Sequence, residues 1–241
     1  SIIFLKKDNL KTFLNFFLFF LILLLIYTFF FGYEINGARR WIRFFGFSIQ
    51  PSELIKGPFI CFVSWFFYLS LKNINYKILY IPIFVFIIIL FLIANQPDFA
   101  TSMYFFTSFS LISILYIRKI KFFLILSFFG LLFTTIIIFL NLYVRDRILS
   151  FFLDTSRQVE LSINAITKGG LVGVGLGEGQ LKYFIPEKQN DFIYSIIIEE
   201  VGILFGILIV FLYPLYLYVA KKSADSLNNL FLKNTVYTLA F

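Results

Sequence analysis

Histidine is absent from this sequence of 241 residues, and cysteine occurs once, at Cys61. Without histidine the chain lacks the commonest general base and metal ligand of proteins. A single cysteine excludes both an internal disulfide and a cysteine-based metal cluster. Any catalysis must therefore depend on carboxylates, lysine or hydroxyl groups.

Charged residues are also scarce, at 14% of the chain, whereas 60% of the residues are hydrophobic and 37 are phenylalanine. A water-soluble globular domain of ordinary composition does not look like this. Several stretches with few or no charges approach or exceed the roughly 20 helical residues that cross a bilayer. We therefore predict an all-α, polytopic membrane helix bundle that forms one domain over residues 1–241. Its six predicted spans are about 12–33, 52–71, 78–96, 99–117, 122–143 and 192–220.

The ends of the chain indicate a longer parent protein. The sequence starts with Ser1 and stops at Phe241 inside a renewed apolar run, so we expect further helices beyond it. The first apolar stretch is too long for the h-region of a signal peptide and lacks a cleavage site after it, which favours a spanning helix.

Basic residues in short loops predict the orientation in the membrane. If the first residues lie in the cytoplasm, eleven of the 21 basic residues fall on the inner side. They are Lys6, Lys7, Lys11, Lys72, Lys77, Arg118, Lys119, Lys121, Lys221, Lys222 and Lys233. Two larger segments, 34–51 and 141–191, then face outward from the cytoplasmic membrane.

Those outer segments and the helix ends beside them hold the remaining basic residues, among them Arg39, Arg40, Arg43, Arg145 and Lys182. Arginine offers a planar fork of donors that matches phosphate, so an anionic ligand at the outer interface would explain them. Lipid headgroups are the alternative partners. The sequence leaves both explanations open.

The start of the second predicted span carries a pair of charges. Glu53 and Lys56 are three residues apart on a helix that starts near Ser52, which predicts an ion pair on its buried side. Further along, Pro97 breaks the chain between two spans, and Asp98 can cap the helix that follows.

A glycine-rich stretch, Gly169 to Gly179, resembles a nucleotide-binding loop only superficially. It lacks a preceding strand and a following Lys-Ser or Lys-Thr pair. Its glycines instead permit close approach to another helix or to a headgroup.

Three acidic residues lie at or inside the last predicted span. Asp191 stands where this helix begins and can serve as its N-cap. Glu199 and Glu200 follow about 12 Å deeper at the helical rise. Carboxylates at that depth should face the protein interior and be paired, protonated or in contact with water.

Five ordered blocks together resemble the SEDS family (shape, elongation, division, sporulation). They are Asn-Gly-Ala-Arg-Arg-Trp-Ile (36 to 42), Ile-Gln-Pro-Ser-Glu-Leu-Ile-Lys (49 to 56), Gln-Pro-Asp-Phe-Ala-Thr (96 to 101), Gly-Gly-Leu-Val-Gly-Val-Gly-Leu-Gly (169 to 177), and Ile-Pro-Glu-Lys-Gln-Asn-Asp-Phe-Ile-Tyr (185 to 194) through Glu-Glu-Val-Gly (199 to 202). The first and fourth blocks favour the FtsW division branch over the RodA elongation branch. Ala100, where the family usually has glycine, and a short stretch from Arg145 to Gln158 depart from the pattern.

The resemblance implies a peptidoglycan glycosyltransferase that polymerises lipid II into β-1,4-linked strands during septal wall synthesis and releases undecaprenyl pyrophosphate. It also implies a ten-span fold, of which this chain is similar to the third to the eighth spans and the start of the ninth. The implied partners are a class B penicillin-binding transpeptidase and other division proteins. Membrane lipid is a further expected partner and nucleic acid is not. The resemblance further implies a multi-pass protein of the cytoplasmic membrane with its active site on the extracytoplasmic face.

The resemblance also implies roles for individual residues. Asp191 matches the essential aspartate, which would accept the proton of the acceptor hydroxyl. Substrate binding is expected from Arg39, Arg40, Glu53, Lys56, Arg145 and Lys182, and support from Gln50, Asp98, Glu199 and Glu200. A divalent cation, Mg²⁺ or Mn²⁺, could assist through carboxylate or phosphate oxygens, although no protein metal ligands are predicted. The alternatives are a lipid II flippase, a RodA-like elongation polymerase and a non-catalytic scaffold.

Overall fold

The computed structural model describes residues 7–35, 38–44, 47–96, 98–117, 132, 157–185 and 192–240. Two compact units divide the chain: residues 1–144 with 221–241, and residues 145–220. Helices dominate both units, which confirms the predicted fold class. The predicted span 122–143 and the residues Arg145 and Asp191 lie outside the described residues. The assignment of the chain to one membrane domain stays a prediction.

Up to residue 117, the described part of the first unit contains four long helices and a small sheet. The helices are α1 (Lys7–Phe31), α3 (Lys56–Lys72), α4 (Tyr80–Ala94) and α5 (Phe99–Ile117). A short helix α2 (Pro51–Leu54) precedes α3, and a 3-10 turn (Tyr76–Leu79) precedes α4. Candidate spans in α1 and α2–α3 and over Tyr76–Ala94 and Ala100–Ile117 agree with the first four predicted spans within a few residues.

Aromatic and branched side chains form the core of this unit. Leu18, Leu21 and Leu25 recur on one face of α1, as the helical period requires, and are almost fully buried. Phe59 of α3 meets Phe105 of α5 edge to face, with ring centroids 5.0 Å apart. Lipid is as apolar as these side chains, so close packing rather than exclusion of water favours their association.

A three-stranded antiparallel sheet follows α1, an element that hydropathy alone did not predict. Its strands are β1 (Tyr33–Ile35), β2 (Ala38–Phe44) and β3 (Phe47–Ile49), in the order β1-β2-β3. In the register of the sheet, Tyr33 lies opposite Trp41 and Arg43 lies opposite Ser48. The sheet thus determines on which side the arginines of β2 lie.

The second unit contains α6 (Arg157–Gly169), the glycine-rich segment, a 3-10 turn (Leu181–Tyr183) and α7 (Ile193–Val201). The next helix, α8 (Ile203–Asp225), starts in this unit and extends into the residues assigned to the first. The last described helix, α9 (Leu230–Ala240), belongs to the first unit, where Phe231 packs against Trp65 with ring centroids 5.3 Å apart.

The prediction of one continuous helix over 192–220 was wrong. Gly202 separates α7 from α8 with a φ of +97°, which glycine adopts readily and other residues do not. The carbonyl groups of Glu199 and Glu200 accept hydrogen bonds from the amides of Val174 and Gly175, at 2.9 and 3.0 Å. Because the glycine-rich segment satisfies these carbonyls, the helix can end there, and the candidate span begins only at Ile203.

Candidate functional site

The two neighbouring arginines of β2 lie at an irregularity in the pairing with β1, and they differ in exposure. Arg39 and Arg43 line a cleft together with Trp41. Arg40 is buried, and its Nε donates a hydrogen bond of 3.0 Å to the carbonyl of Gln96. Both arginines were expected to bind substrate; Arg39 faces a cleft, whereas Arg40 connects the sheet to the end of α4.

Gln50 and Asp98 come together although 48 residues separate them. The Gln50 side-chain amide donates to Asp98 Oδ2 at 3.3 Å, while Asp98 Oδ1 accepts the backbone N–H of Thr101 at 3.1 Å. The predicted capping role of Asp98 is confirmed, and the carboxylate is almost fully buried. These two supporting residues connect the start of α2 with the start of α5.

The predicted ion pair of Glu53 and Lys56 forms, with 2.6 Å between Oε1 and Nζ. Its predicted location on the buried side of the helix was wrong, since 47% of the Glu53 side chain is exposed. Helix α2 ends at Leu54 and α3 begins at Lys56. The pair therefore spans the junction of these two helices, and it faces outward. Lys56 Nζ also lies 4.9 Å from the centroid of the Tyr104 ring.

Glu199 is completely buried in the second unit. Its Oε1 accepts two backbone hydrogen bonds, from Gln180 at 3.0 Å and from Leu181 at 3.2 Å. Lys168 Nζ lies 3.6 Å from the same oxygen. The expectation that this carboxylate faces the interior and is paired is confirmed, and the pairing anchors the end of the glycine-rich segment on α7.

Lys182 and Glu200 form a second ion pair, 2.7 Å long, and Lys182 Nζ also donates to the carbonyl of Gly177 at 2.7 Å. The hydrogen bond to Glu200 raises the pKa of Lys182 above its ordinary value. The same bond lowers the pKa of Glu200. Both groups are therefore charged at neutral pH, and the positive charge of Lys182 is balanced within the protein.

The glycines of 169–179 serve the first of the two uses predicted for them, close approach to a helix. A Cβ on Gly173 would overlap the carbonyl of Glu200, and one on Gly169 would overlap that of Ile198. Within the described residues, no group of three or more His, Cys, Asp or Glu side chains could hold a metal ion.

Asp191 and Arg145 fall on residues that are not described, so their predicted roles stay predictions. The N-cap position of α7 is occupied by Phe192, one residue after Asp191. Sequence reasoning assigned no site role to Arg43, Lys168 or Gln96. The alternation of Arg39, Trp41 and Arg43 could have indicated a strand with one cationic and aromatic face.

Comparison with known families gives one match over almost the whole chain. The sequence profile of the FtsW, RodA and SpoVE family, described as "Cell cycle protein", matches residues 2–241.

Individual relatives agree with this match. A "Probable peptidoglycan glycosyltransferase FtsW" of Wigglesworthia glossinidia brevipalpis is 33% identical over 235 residues, which cover 86% of this chain and 62% of the relative. The protein of the same name from Borreliella burgdorferi is 36% identical, with coverage of 79% and 56%. "Stage V sporulation protein E" of Bacillus subtilis is 33% identical, with coverage of 76% and 52%. The chain thus spans only half to three fifths of these relatives.

Solved structures agree with the fold. A chain from the structure "Structural coordination of polymerization and crosslinking by a peptidoglycan synthase complex" matches with a TM-score of 0.72 and 21% identity, over 98% of this chain and 68% of that one. The rod shape determining protein RodA of Thermus thermophilus matches with a TM-score of 0.56 and 17% identity, over 98% and 64%.

Proposed function

Because the chain belongs to the FtsW, RodA and SpoVE family of cell cycle proteins, we propose that it polymerises a lipid-linked disaccharide precursor of peptidoglycan. The observation that carries the proposal is its identity of 33% and 36% to relatives named as peptidoglycan glycosyltransferases. Those names are of the FtsW type, which favours a role in the septal wall during cell division.

In the proposed reaction, Asp191 accepts the proton from the 4-hydroxyl of the acceptor sugar. The freed oxygen attacks the anomeric carbon of the donor, and the bond from that carbon to the pyrophosphate oxygen breaks. Polyprenyl pyrophosphate leaves with the bonding electrons, and a β-1,4 linkage forms with inversion. One base suffices, because pyrophosphate is a good leaving group once its charge is stabilised.

Candidates for that stabilisation are Arg39, Arg40, Lys56, Arg145 and Lys182, with or without a divalent cation. The contacts of the described residues rank these candidates. Arg40 is buried, and Lys56 and Lys182 each form an ion pair with a glutamate, whereas Arg39 is exposed and lines a cleft. Among the described candidates for this role, Arg39 is therefore the most accessible.

The surroundings of α7 suit a base at its start. Glu199 holds the glycine-rich segment on α7 through two backbone hydrogen bonds, and the Lys182–Glu200 pair adds a third attachment. A helix fixed in this way would keep a residue at its beginning in a constant position, and catalytic rates are sensitive to shifts of about 1 Å.

We further propose that the reaction takes place on the outer face of the cytoplasmic membrane, together with a transpeptidase of the class B penicillin-binding type and other division proteins. The distribution of lysines in short loops supports this orientation. A similar structure belongs to a complex that coordinates polymerization and crosslinking, which supports a crosslinking partner.

The deciding experiment replaces Asp191 by Asn in the full-length protein and supplies lipid II to one leaflet of a vesicle. We expect the rate of glycan strand formation, followed by gel electrophoresis, to fall by at least about 10²-fold, the usual contribution of a general base. The exposed Glu178→Gln is the matched control and should retain the rate.

Two results would contradict the proposal. Polymer formation by the Asp191→Asn variant would remove Asp191 from the mechanism. Redistribution of lipid II between leaflets without any glycan product from the unaltered protein would favour the flippase alternative.

A further inference from the structure

The face of β2 that carries Arg39, Trp41 and Arg43 forms a cleft with the end of α1. The cleft has a volume of about 340 Å³, and its principal lining side chains are Tyr27, Phe31, Tyr33, Arg39, Trp41 and Arg43. Binding sites for small molecules usually measure roughly 300–1,000 Å³. The cleft is thus large enough for a headgroup.

The two walls of the cleft differ in chemistry. Tyr27 and Phe31 lie one helical turn apart on α1, with ring centroids 5.3 Å from each other, and both are exposed. They form an apolar wall at the end of the candidate span Thr12–Phe31. The strand supplies the opposite wall, where two guanidinium groups flank an indole ring. Aromatic residues of this kind are enriched at the membrane interface, where an acyl chain meets its polar headgroup.

Arg43 is the cation best placed for a ligand. Its guanidinium lies over the ring of Tyr33, 3.8 Å from the ring centroid. A guanidinium group stacked on an aromatic ring is held through the flat face of the guanidinium. Its N–H donors point outward from the edge of the guanidinium plane, where two of them can bind a phosphate together. In the register of the sheet Arg43 lies opposite Ser48, a residue without charge.

We propose that this cleft binds the phosphate group of a membrane amphiphile, with the phosphate on Arg43 and Arg39 and the hydrocarbon chain along Tyr27 and Phe31. The amphiphile is an anionic glycerophospholipid; a polyprenyl phosphate, which shares this chemistry, is the alternative that the test separates. Arg39 is shared with the proposed glycosyl transfer and Arg43 is not, so the test is placed on Arg43.

The chain itself provides a probe, since it contains two tryptophans. Trp65→Phe leaves Trp41 as the only tryptophan, in the wall of the cleft. The protein is placed in nanodiscs of phosphatidylcholine that contain a minor fraction of phosphatidylglycerol with brominated acyl chains. We expect brominated phosphatidylglycerol to quench Trp41 more strongly than brominated phosphatidylcholine at the same mole fraction.

Replacement of Arg43 by Gln should weaken the apparent affinity for phosphatidylglycerol by roughly tenfold, the loss expected for one charge-assisted contact. Lys72→Gln is the matched control. Lys72 is an exposed cation at the other end of α3, away from the sheet, and its replacement should leave the quenching unchanged. Brominated phosphatidylcholine should quench Trp41 equally in the Arg43→Gln variant and in the unaltered protein. This result would show that Trp41 still lies at the membrane interface in the variant.

Competition distinguishes the two sources of phosphate. If unlabelled polyprenyl phosphate relieves the quenching at a lower mole fraction than unlabelled phosphatidylglycerol, the cleft belongs to the proposed polymerisation and the proposal of a phospholipid site is overturned. The opposite order assigns it to the phospholipid. Equal quenching by the two brominated lipids, or equal selectivity of the unaltered and Arg43→Gln proteins, would overturn the proposal.

Discussion

The sheet region, residues 33–56, and the glycine-rich region, residues 157–202, place their charges in opposite ways. In the sheet region, Glu53 and Lys56 meet in an exposed pair, and Arg43 lies over a tyrosine ring at the edge of a cleft. In the glycine-rich region, Glu199 is completely buried and accepts two backbone amides. Apart from the buried Arg40, these charges of the sheet region thus lie at the exterior, whereas Glu199 of the glycine-rich region lies in the interior.

This difference distinguishes residues that are accessible to a ligand from residues that stabilise the fold. A completely buried carboxylate such as Glu199 is out of reach of a substrate, and its loss leaves the backbone donors that it accepts unpaired. An exposed pair contributes little to stability and remains accessible. Substitution of Glu199 should therefore change stability, whereas substitution of Glu53 should leave stability almost unaltered.

The largest effect is expected from Gly202→Ala. Gly202 has a φ of +97°, and a Cβ there would overlap the carbonyl of Leu171. Because both the backbone conformation and the space exclude a side chain, we expect the free energy of unfolding to fall by more than about 4 kcal/mol. Thermal unfolding in detergent, followed by size-exclusion chromatography of the heated protein, measures the loss.

Gly170→Ala is the matched control for this prediction. Gly170 also has a positive φ, +56°, but a Cβ there would have open space within 4 Å. Only the left-handed conformation is then penalised, at about 1–2 kcal/mol. Similar losses in the two variants would mean that the packing of the glycine-rich segment on α7 contributes nothing.

Glu199→Ala should have the next largest effect. The substitution leaves the partly buried amides of Gln180 and Leu181 without their acceptor, which costs on the order of 2 kcal/mol in the free energy of unfolding. Limited proteolysis of the segment 170–185 should accelerate in parallel. Glu178→Ala, which removes an exposed carboxylate from the same segment, should do neither. If the two variants lost the same amount of stability, the buried contacts of Glu199 would not contribute to the free energy of unfolding.

Hydropathy predicted the first four described spans because a membrane helix must satisfy its backbone internally and expose apolar side chains, both of which are local properties. The capping role of Asp98 was predictable for the same reason, since its partner is three residues away. The break at Gly202 was not, because it depends on amides of Val174 and Gly175, far away in the sequence.

The candidate site was predicted in part. The pairing of Glu53 with Lys56 follows from their spacing, whereas the roles that the resemblance implies for individual residues stay predictions. The different environments of Arg39 and Arg40 were not predicted. They depend on strand β2, which the hydropathy of the outer segment does not indicate. The partners of Lys182 and Glu199 depend on how the glycine-rich segment folds back on α7, which no local rule specifies.

The smallest effect on stability is expected from Glu53→Gln, which tests the other side of the comparison. The pair with Lys56 is exposed, so its removal should change the free energy of unfolding by no more than about 1 kcal/mol. If the charge instead serves the proposed polymerisation, the rate should fall while the unfolding temperature stays constant. A double-mutant cycle with Lys56→Gln measures the coupling in both assays. A loss of stability as large as that of Glu199→Ala would mean that the pair holds the fold, and the two regions would then use charge in the same way.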